Sequence, residues 1–162
     1  MRVAGVGVDI VEIGRMRETL LRTPRFRERV FTEDERAWCD RRADPAASYA
    51  GCFAAREAVL KALGVGFSEG VGYTDVSVTH DDRGKPEALL SGQAARLAEE
   101  QGVSEVFISI SHTREVAVAN AVASTPASVP AREERRDERA ILAAQFKRAR
   151  SLLDDLDSGK DA

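Results

Sequence analysis

Between Ala46 and Leu63 the chain carries the pattern that most limits what it can become. Cys52, Phe53, Val59, Leu60 and Leu63 recur at helical spacing and form an apolar stripe. Such a stripe predicts an amphipathic helix, and Gly64-Val65-Gly66 directly after it predicts where that helix stops. On another side of the same helix Ala50, Ala54, Glu57 and Lys61 line up at steps of three and four. The small residues there leave little bulk, so another molecule can approach Glu57 and Lys61 closely. The plain alternative for these two is a surface ion pair at i, i+4, worth about 0.3–0.5 kcal/mol.

The segments around this helix alternate in type. From Val3 to Ile13 the pattern has a period of two, with Val6, Val8 and Ile10 on one face and Gly5, Gly7 and Asp9 on the other. That predicts a strand with an apolar face and a glycine face. Gly14 to Arg22 reads as a helix ended by Thr23-Pro24. Thr32 to Glu35 has the spacing of a capping box, opening a helix that carries Trp38. Val76 and Val78 begin a strand, Asp82-Arg83-Gly84 is a turn, and a short strand follows near Ala88 to Leu90. Ser91 to Gln101 is helical, and Val106 to Ser111 and Val116 to Val122 are two strands. The pattern predicts an α+β fold, a mostly antiparallel sheet packed against the long helix.

Composition changes after residue 123. Ser124 to Pro130 reads as a linker. Residues 131–162 hold eight basic and eight acidic side chains, with Leu142, Phe146, Ala149, Leu153 and Leu156 at helical steps. They form either one amphipathic helix or a charged, partly helical tail. The expected layout is a domain over 1–123, a linker over 124–130 and a charged extension over 131–162.

Net charge is −3, with 43% hydrophobic and 31% charged residues. That balance is ordinary for a globular protein and gives no general attraction to nucleic acid or membranes. No leader pattern precedes the first strand and no apolar run approaches membrane length, so a cytoplasmic location is expected. Cys39 and Cys52 lack metal-ligand spacing and read as plain thiols. One region departs from the average: Arg15 to Arg29 contains six arginines against Glu18 and Glu28.

Three groups of residues can carry chemistry. Asp9 interrupts an apolar strand, where a carboxylate is costly unless a cation meets it, and Gly5 and Gly7 beside it are expected to leave room for a ligand. Glu57 and Lys61 offer a carboxylate and a point charge, which suit a hard cation and a phosphate. Ser111, His112 and Thr113 end a strand in hydroxyls and an imidazole. His80, the other histidine, is read as structural. Gly84-Lys85-Pro86 and Gly64-Val65-Gly66 are weak signals alone. The latter is no P-loop, because its lysine precedes the glycines.

The order of these weak signals is specific. Gly5-Val6-Gly7-Val8-Asp9-Ile10-Val11-Glu12-Ile13 resembles the opening motif of the holo-acyl-carrier-protein synthase family, the short 4′-phosphopantetheinyl transferases. Phe53-Ala54-Ala55-Arg56-Glu57-Ala58-Val59-Leu60-Lys61-Ala62-Leu63-Gly64-Val65-Gly66 resembles its central motif, and Gly84-Lys85-Pro86 and Ser109-Ile110-Ser111-His112-Thr113 resemble the third and fourth. The resemblance spans about residues 1–123. It implies transfer of 4′-phosphopantetheine from coenzyme A to a serine of an apo acyl carrier protein, releasing adenosine 3′,5′-bisphosphate, in fatty-acid or polyketide biosynthesis.

It further implies that Asp9 and Glu57 bind Mg²⁺ and that Lys61 contacts a phosphate. Gly64 and Gly66 would admit the substrate, and Lys85, Pro86, Ser111, His112 and Thr113 would lie near the nucleotide. Either Glu57 or water would take the serine proton. Arg15, Arg22, Arg25 and Arg29 would dock the acidic carrier, and three chains would form a trimer with sites between subunits. Two features depart from the family. The motif usually begins Arg-Phe-Ala-Ala-Lys-Glu, whereas here Cys52 and Arg56 stand in place of the arginine and the lysine, and the charged tail is extra. The competing readings are a metal-dependent hydrolase of a nucleotide or coenzyme A, which would not need the arginine-rich stretch, and a non-catalytic carrier-binding module, which would not need both carboxylates.

Overall fold

A computed structural model describes residues 1–66 and 69–126. Ten elements follow in order: β1 (Arg2–Glu12), α1 (Ile13–Arg22), α2 (Pro24–Val30), α3 (Glu33–Asp40), α4 (Pro45–Leu63), β2 (Val76–His80), β3 (Pro86–Leu90), α5 (Gly92–Glu100), β4 (Glu105–His112) and β5 (Val116–Thr125). The strands form two antiparallel sheets, one ordered β1-β5-β4 and the other the hairpin β2-β3. The expected α+β architecture is present, with α4 lying across the larger sheet.

Local chemistry explains the boundaries. Asp44 caps α4 by accepting from the Ala47 N–H at 3.3 Å, and Gly64 ends it in the left-handed region at φ 67°. That conformation suits glycine, which has no Cβ to clash. Thr32 and Glu35 form the expected capping box. Thr23-Pro24 ends α1 as expected, with Thr23 as the C-cap, but a second helix starts at once. Proline is tolerated in a first helical turn, and Pro24 opens α2, a helix the sequence did not announce. β5 also runs past the expected linker boundary: Ser124 and Thr125 pair with Val3 and Arg2, and Ser124 is fully buried. The expected tail and most of the linker lie outside the described residues. Among the described residues no helix is long and apolar enough to cross a membrane.

The two faces of β1 behave opposite to a simple hydrophobic reading. Gly5 and Gly7 do not leave room for a ligand. A Cβ on Gly5 would run into the carbonyl oxygen of Ala62, and one on Gly7 into that of Ala58. The glycine face is where α4 sits. Facing it from β5 are Ala117, Ala119, Ala121 and Ala123, all fully buried, and α4 answers with buried Ala54, Ala55, Ala58 and Ala62. Small residues on both sides bring helix and sheet unusually close. The apolar face of β1 is solvent-facing instead: Val6, Val8 and Ile10 are 66%, 51% and 63% exposed, and Phe107 of β4 is 42% exposed. The ladder pairs Val6 with Val122 and Phe107 with Val122, so these side chains form one apolar sheet surface.

One buried ion pair ties the smaller sheet to α4. Arg56 and Glu35 are both fully buried, and Arg56 Nη2 donates to both Glu35 carboxylate oxygens at 3.0 Å. Arg56 Nε donates to the Val76 carbonyl at 2.7 Å, and the Val78 N–H donates to Glu35 Oε1 at 2.9 Å. Arg56 thus points inward and anchors β2, although the motif comparison placed it beside a catalytic glutamate.

Candidate active site

The close helix–sheet packing sets the first half of the site. Two residues beyond Gly7 on the same face of β1, Asp9 meets α4. Its carboxylate accepts from Lys61 Nζ at 2.7 Å, and the same ammonium donates to the Val8 carbonyl at 3.1 Å. The cation that a carboxylate in this strand requires is therefore Lys61. The ion pair crosses from helix to strand, and among the described residues Lys61 makes none with Glu57. Glu57 stands beside the pair. Burial pushes its carboxyl above the usual glutamate range, the Asp9 charge adds to this, and Lys61 and Arg56 oppose it.

Asp9 and Glu57 line one cleft of about 550 Å³, together with Arg15 and an apolar floor that includes Met16, Phe26 and Phe53. Met16 and Phe26 belong to no motif and Phe53 opens the central one, but on α1, α2 and α4 all three look like ordinary core positions. Two carboxylates held this close repel, and a cation between them relieves that repulsion. Among the described residues no group of three or more His, Cys, Asp or Glu is arranged to hold a metal. A two-carboxylate set with room for other oxygens suits Mg²⁺, which binds through one or two carboxylates plus substrate phosphates.

The second half of the expected site lies elsewhere on the chain. His112 and Pro86 line a cleft of about 210 Å³ with Trp38, Arg42, Cys52 and His80. Lys85 faces a neighbouring groove between β3 and β4, and Pro86 lines both. Ser111 is one residue off the His112 face of β4, paired with Val118 on the opposite side of the sheet, so it is not brought to this cleft. Thr113 holds the β4–β5 turn, where its Oγ1 accepts from the Glu115 and Val116 N–H groups at 3.1 and 3.2 Å. Gly64 and Gly66 follow α4, and the Gly66 N–H donates to Glu69 Oε2 at 3.1 Å. Among the described residues, none lines both the Asp9 cleft and the His112 cleft.

The arginines sort themselves by pairing. Arg17 is bound to Asp44 and Arg27 to Asp40. Arg15, Arg22, Arg25 and Arg29 are exposed and, among the described residues, have no carboxylate within 4.0 Å. These are the four expected to dock a carrier, and they lie on α1 and α2 at the rim of the Asp9 cleft or beyond it.

Comparison with known proteins identifies the family. Residues 5–121 match the 4′-phosphopantetheinyl transferase superfamily. The holo-[acyl-carrier-protein] synthase of Alkaliphilus metalliredigens is 46% identical over 121 residues, 74% of this chain and 98% of that protein. The crystal structure of the Neisseria meningitidis synthase superposes with a TM-score of 0.68 at 33% identity, covering 76% of this chain and 100% of that one. The Helicobacter pylori synthase, crystallised in complex with coenzyme A, gives 0.65 at 30% identity over 74% and 99%. With four motifs in order, this packing and these relatives, the chain belongs to the 4′-phosphopantetheinyl transferase superfamily, as a holo-acyl-carrier-protein synthase.

Proposed function

We infer that the Asp9 cleft and the His112 cleft are the two halves of one transfer site. The chain transfers 4′-phosphopantetheine from coenzyme A to a serine of an apo acyl carrier protein, a reaction of fatty-acid biosynthesis. The serine oxygen attacks the pyrophosphate phosphorus that bears pantetheine. A new O–P bond forms, the bond to the bridging oxygen breaks, adenosine 3′,5′-bisphosphate leaves, and the serine proton is released. The observation that carries the assignment of roles is the Asp9–Lys61 pair beside Glu57 in a cleft open to solvent.

In this reading Asp9 and Glu57 hold Mg²⁺, which when bound neutralises charge on the pyrophosphate oxygens. Lys61, fixed against Asp9 and the Val8 carbonyl, presents a point charge to the phosphate and steadies the leaving bisphosphate. His112 and Pro86, with Lys85 alongside, receive the nucleotide. Met16, Phe26 and Phe53 shed water from the carboxylates and give the acceptor serine's apolar neighbours a surface. We place this chemistry in the cytoplasm.

Arg15, Arg22, Arg25 and Arg29 meet the acidic carrier. Unpaired surface charge of this kind raises the association rate and is screened by salt. The expected result for Arg22→Ala/Arg25→Ala is a loss of about 3- to 10-fold in kcat/KM for the carrier at low salt, with kcat unchanged. The loss should shrink as salt is added. A salt-independent loss in steady-state kinetics would remove the docking role.

Among the described residues the two clefts share none, and the outer sheet face is apolar and exposed. Both features fit a homotrimer in which one chain supplies Asp9, Glu57 and Lys61 and its neighbour the nucleotide cleft. A contiguous apolar face of this sort marks a contact surface. Val6→Glu puts a charge on that face, three residues from Asp9 and on the opposite side of β1. Sedimentation equilibrium should show three chains for the native protein and one for the variant, with activity lost alongside. A native monomer of full activity would contradict the shared site.

A further inference from the structure

The cleft that holds His112 also holds a cation that no motif contains. Arg42 follows α3, and its guanidinium lies 4.9 Å from the centroid of the Trp38 ring. The same indole stacks on His80, with centroids 3.9 Å apart and planes at 11°. Stacking on an indole confines a guanidinium while leaving its N–H donors free in the plane. Arg17, Arg27 and Arg56 each have a carboxylate partner, but among the described residues none lies within ion-pair distance of Arg42. Arg42, His80 and His112 line the cleft, and among the described residues no acidic side chain does. Burial and the Arg42 charge hold His80 below its ordinary value, with Asp81 opposing, whereas the Arg42 guanidinium stays charged. Cys52, in the same wall, is neutral where the family motif has an arginine.

We propose that Arg42, pinned on Trp38, binds the 3′-phosphate of the coenzyme A nucleotide and supplies the charge absent at Cys52. This rests on reading the cleft as the nucleotide half of the site. A planar, always-charged fork suits a phosphate monoester dianion, and the stack sets its direction before the ligand arrives.

The test uses the full chain and two probes that differ only in the group concerned, adenosine 3′,5′-bisphosphate and adenosine 5′-monophosphate. Trp38 is the chain's single tryptophan, so its emission reports directly on this cleft, with calorimetry as the second readout. The native protein should prefer the bisphosphate by about 10-fold or more, the scale of one charge-assisted contact. Arg42→Gln should remove most of that preference and leave monophosphate affinity unchanged, and Arg42→Lys should keep part of it. In turnover, Arg42→Gln should raise KM for coenzyme A and leave kcat near native. The proposal is overturned if Arg42→Gln keeps the native preference, if both probes weaken equally, or if the native protein shows no preference. Failure of the native protein to bind either probe would overturn the nucleotide reading of the cleft as well, which separates the two failures.

Discussion

Asp9→Asn and Glu57→Gln are each expected to lower the transfer rate by about 10³-fold while leaving the fold intact. The size follows from what the carboxylates are for. Removing one preorganised charge from a site where charge develops costs about 10²–10³ in rate, and loss of a ligand from a two-carboxylate set also weakens the cation that the set holds. Stability should hardly change. The Asp9–Lys61 pair is half exposed on the lysine side, 53% by side chain, and such pairs contribute at most about 1 kcal/mol. Glu57→Gln also removes a carboxyl that burial and Asp9 both push upward. The fold favours its protonated form more than the unfolded chain does, so its contribution to stability is full below the ordinary glutamate value and declines as pH rises. Its neutral replacement should therefore be neutral or slightly stabilising near pH 7. Rates measured against Mg²⁺ concentration, with melting curves on the same samples, check both parts. Near-native turnover in either variant would contradict the assignment, and unfolding would show that the carboxylates serve the fold.

Glu35→Ala should do the reverse, unfolding the chain without touching the cleft. The Glu35 carboxylate accepts from Arg56, from the Val78 N–H and from the Thr32 N–H at the start of α3. Its removal leaves a guanidinium with no exposure and no counter-charge; Arg56 Nη1 already lacks a partner. Breaking a buried pair from one side costs about 3–5 kcal/mol, a large share of the 5–15 kcal/mol typical of a domain. Arg56→Met should cost a similar amount, and the Glu35→Ala/Arg56→Met double variant less than the sum, since no orphaned charge remains. Urea unfolding of the three proteins measures this. Strictly additive losses would mean that the pair contributes no coupling. The consequence for function is positional: Arg56 holds the β2–β3 hairpin, which leads into Lys85 and Pro86, against the helix that carries Glu57.

Much of this was legible from pattern, for identifiable reasons. The capping box at Thr32 and Glu35, the stop at Gly64 and the turn before β3 depend on local chemistry, and the structure contains them. Asp9 was readable as a carboxylate needing a cation, but Lys61 as its partner was not. The spacing of Glu57 and Lys61 pointed to a pair within the helix, whereas the contact spans 52 residues and depends on how closely α4 approaches β1. The glycines show the same limit. Gly5 and Gly7 look like space for a ligand in one dimension, and only the backbone of Ala58 and Ala62 shows that the space is filled by helix. Arg56 and Glu57 are adjacent in sequence, but neighbours on a helix point about 100° apart, and one faces the core while the other faces the cleft. Arg42 and Trp38 stand four apart, but Arg42 lies past the end of α3 and nothing in that common spacing marks a stack.

Intact-mass spectrometry of an apo acyl carrier protein, mixed with coenzyme A, Mg²⁺ and this chain, reads the proposed chemistry most directly. The carrier should gain the mass of one phosphopantetheine, with release of adenosine 3′,5′-bisphosphate, and should gain nothing when Asp9→Asn replaces the native chain. A carrier left unmodified while a known transferase loads it would contradict that chemistry, and coenzyme A cleaved without any gain on the carrier would mark the chain as a hydrolase instead.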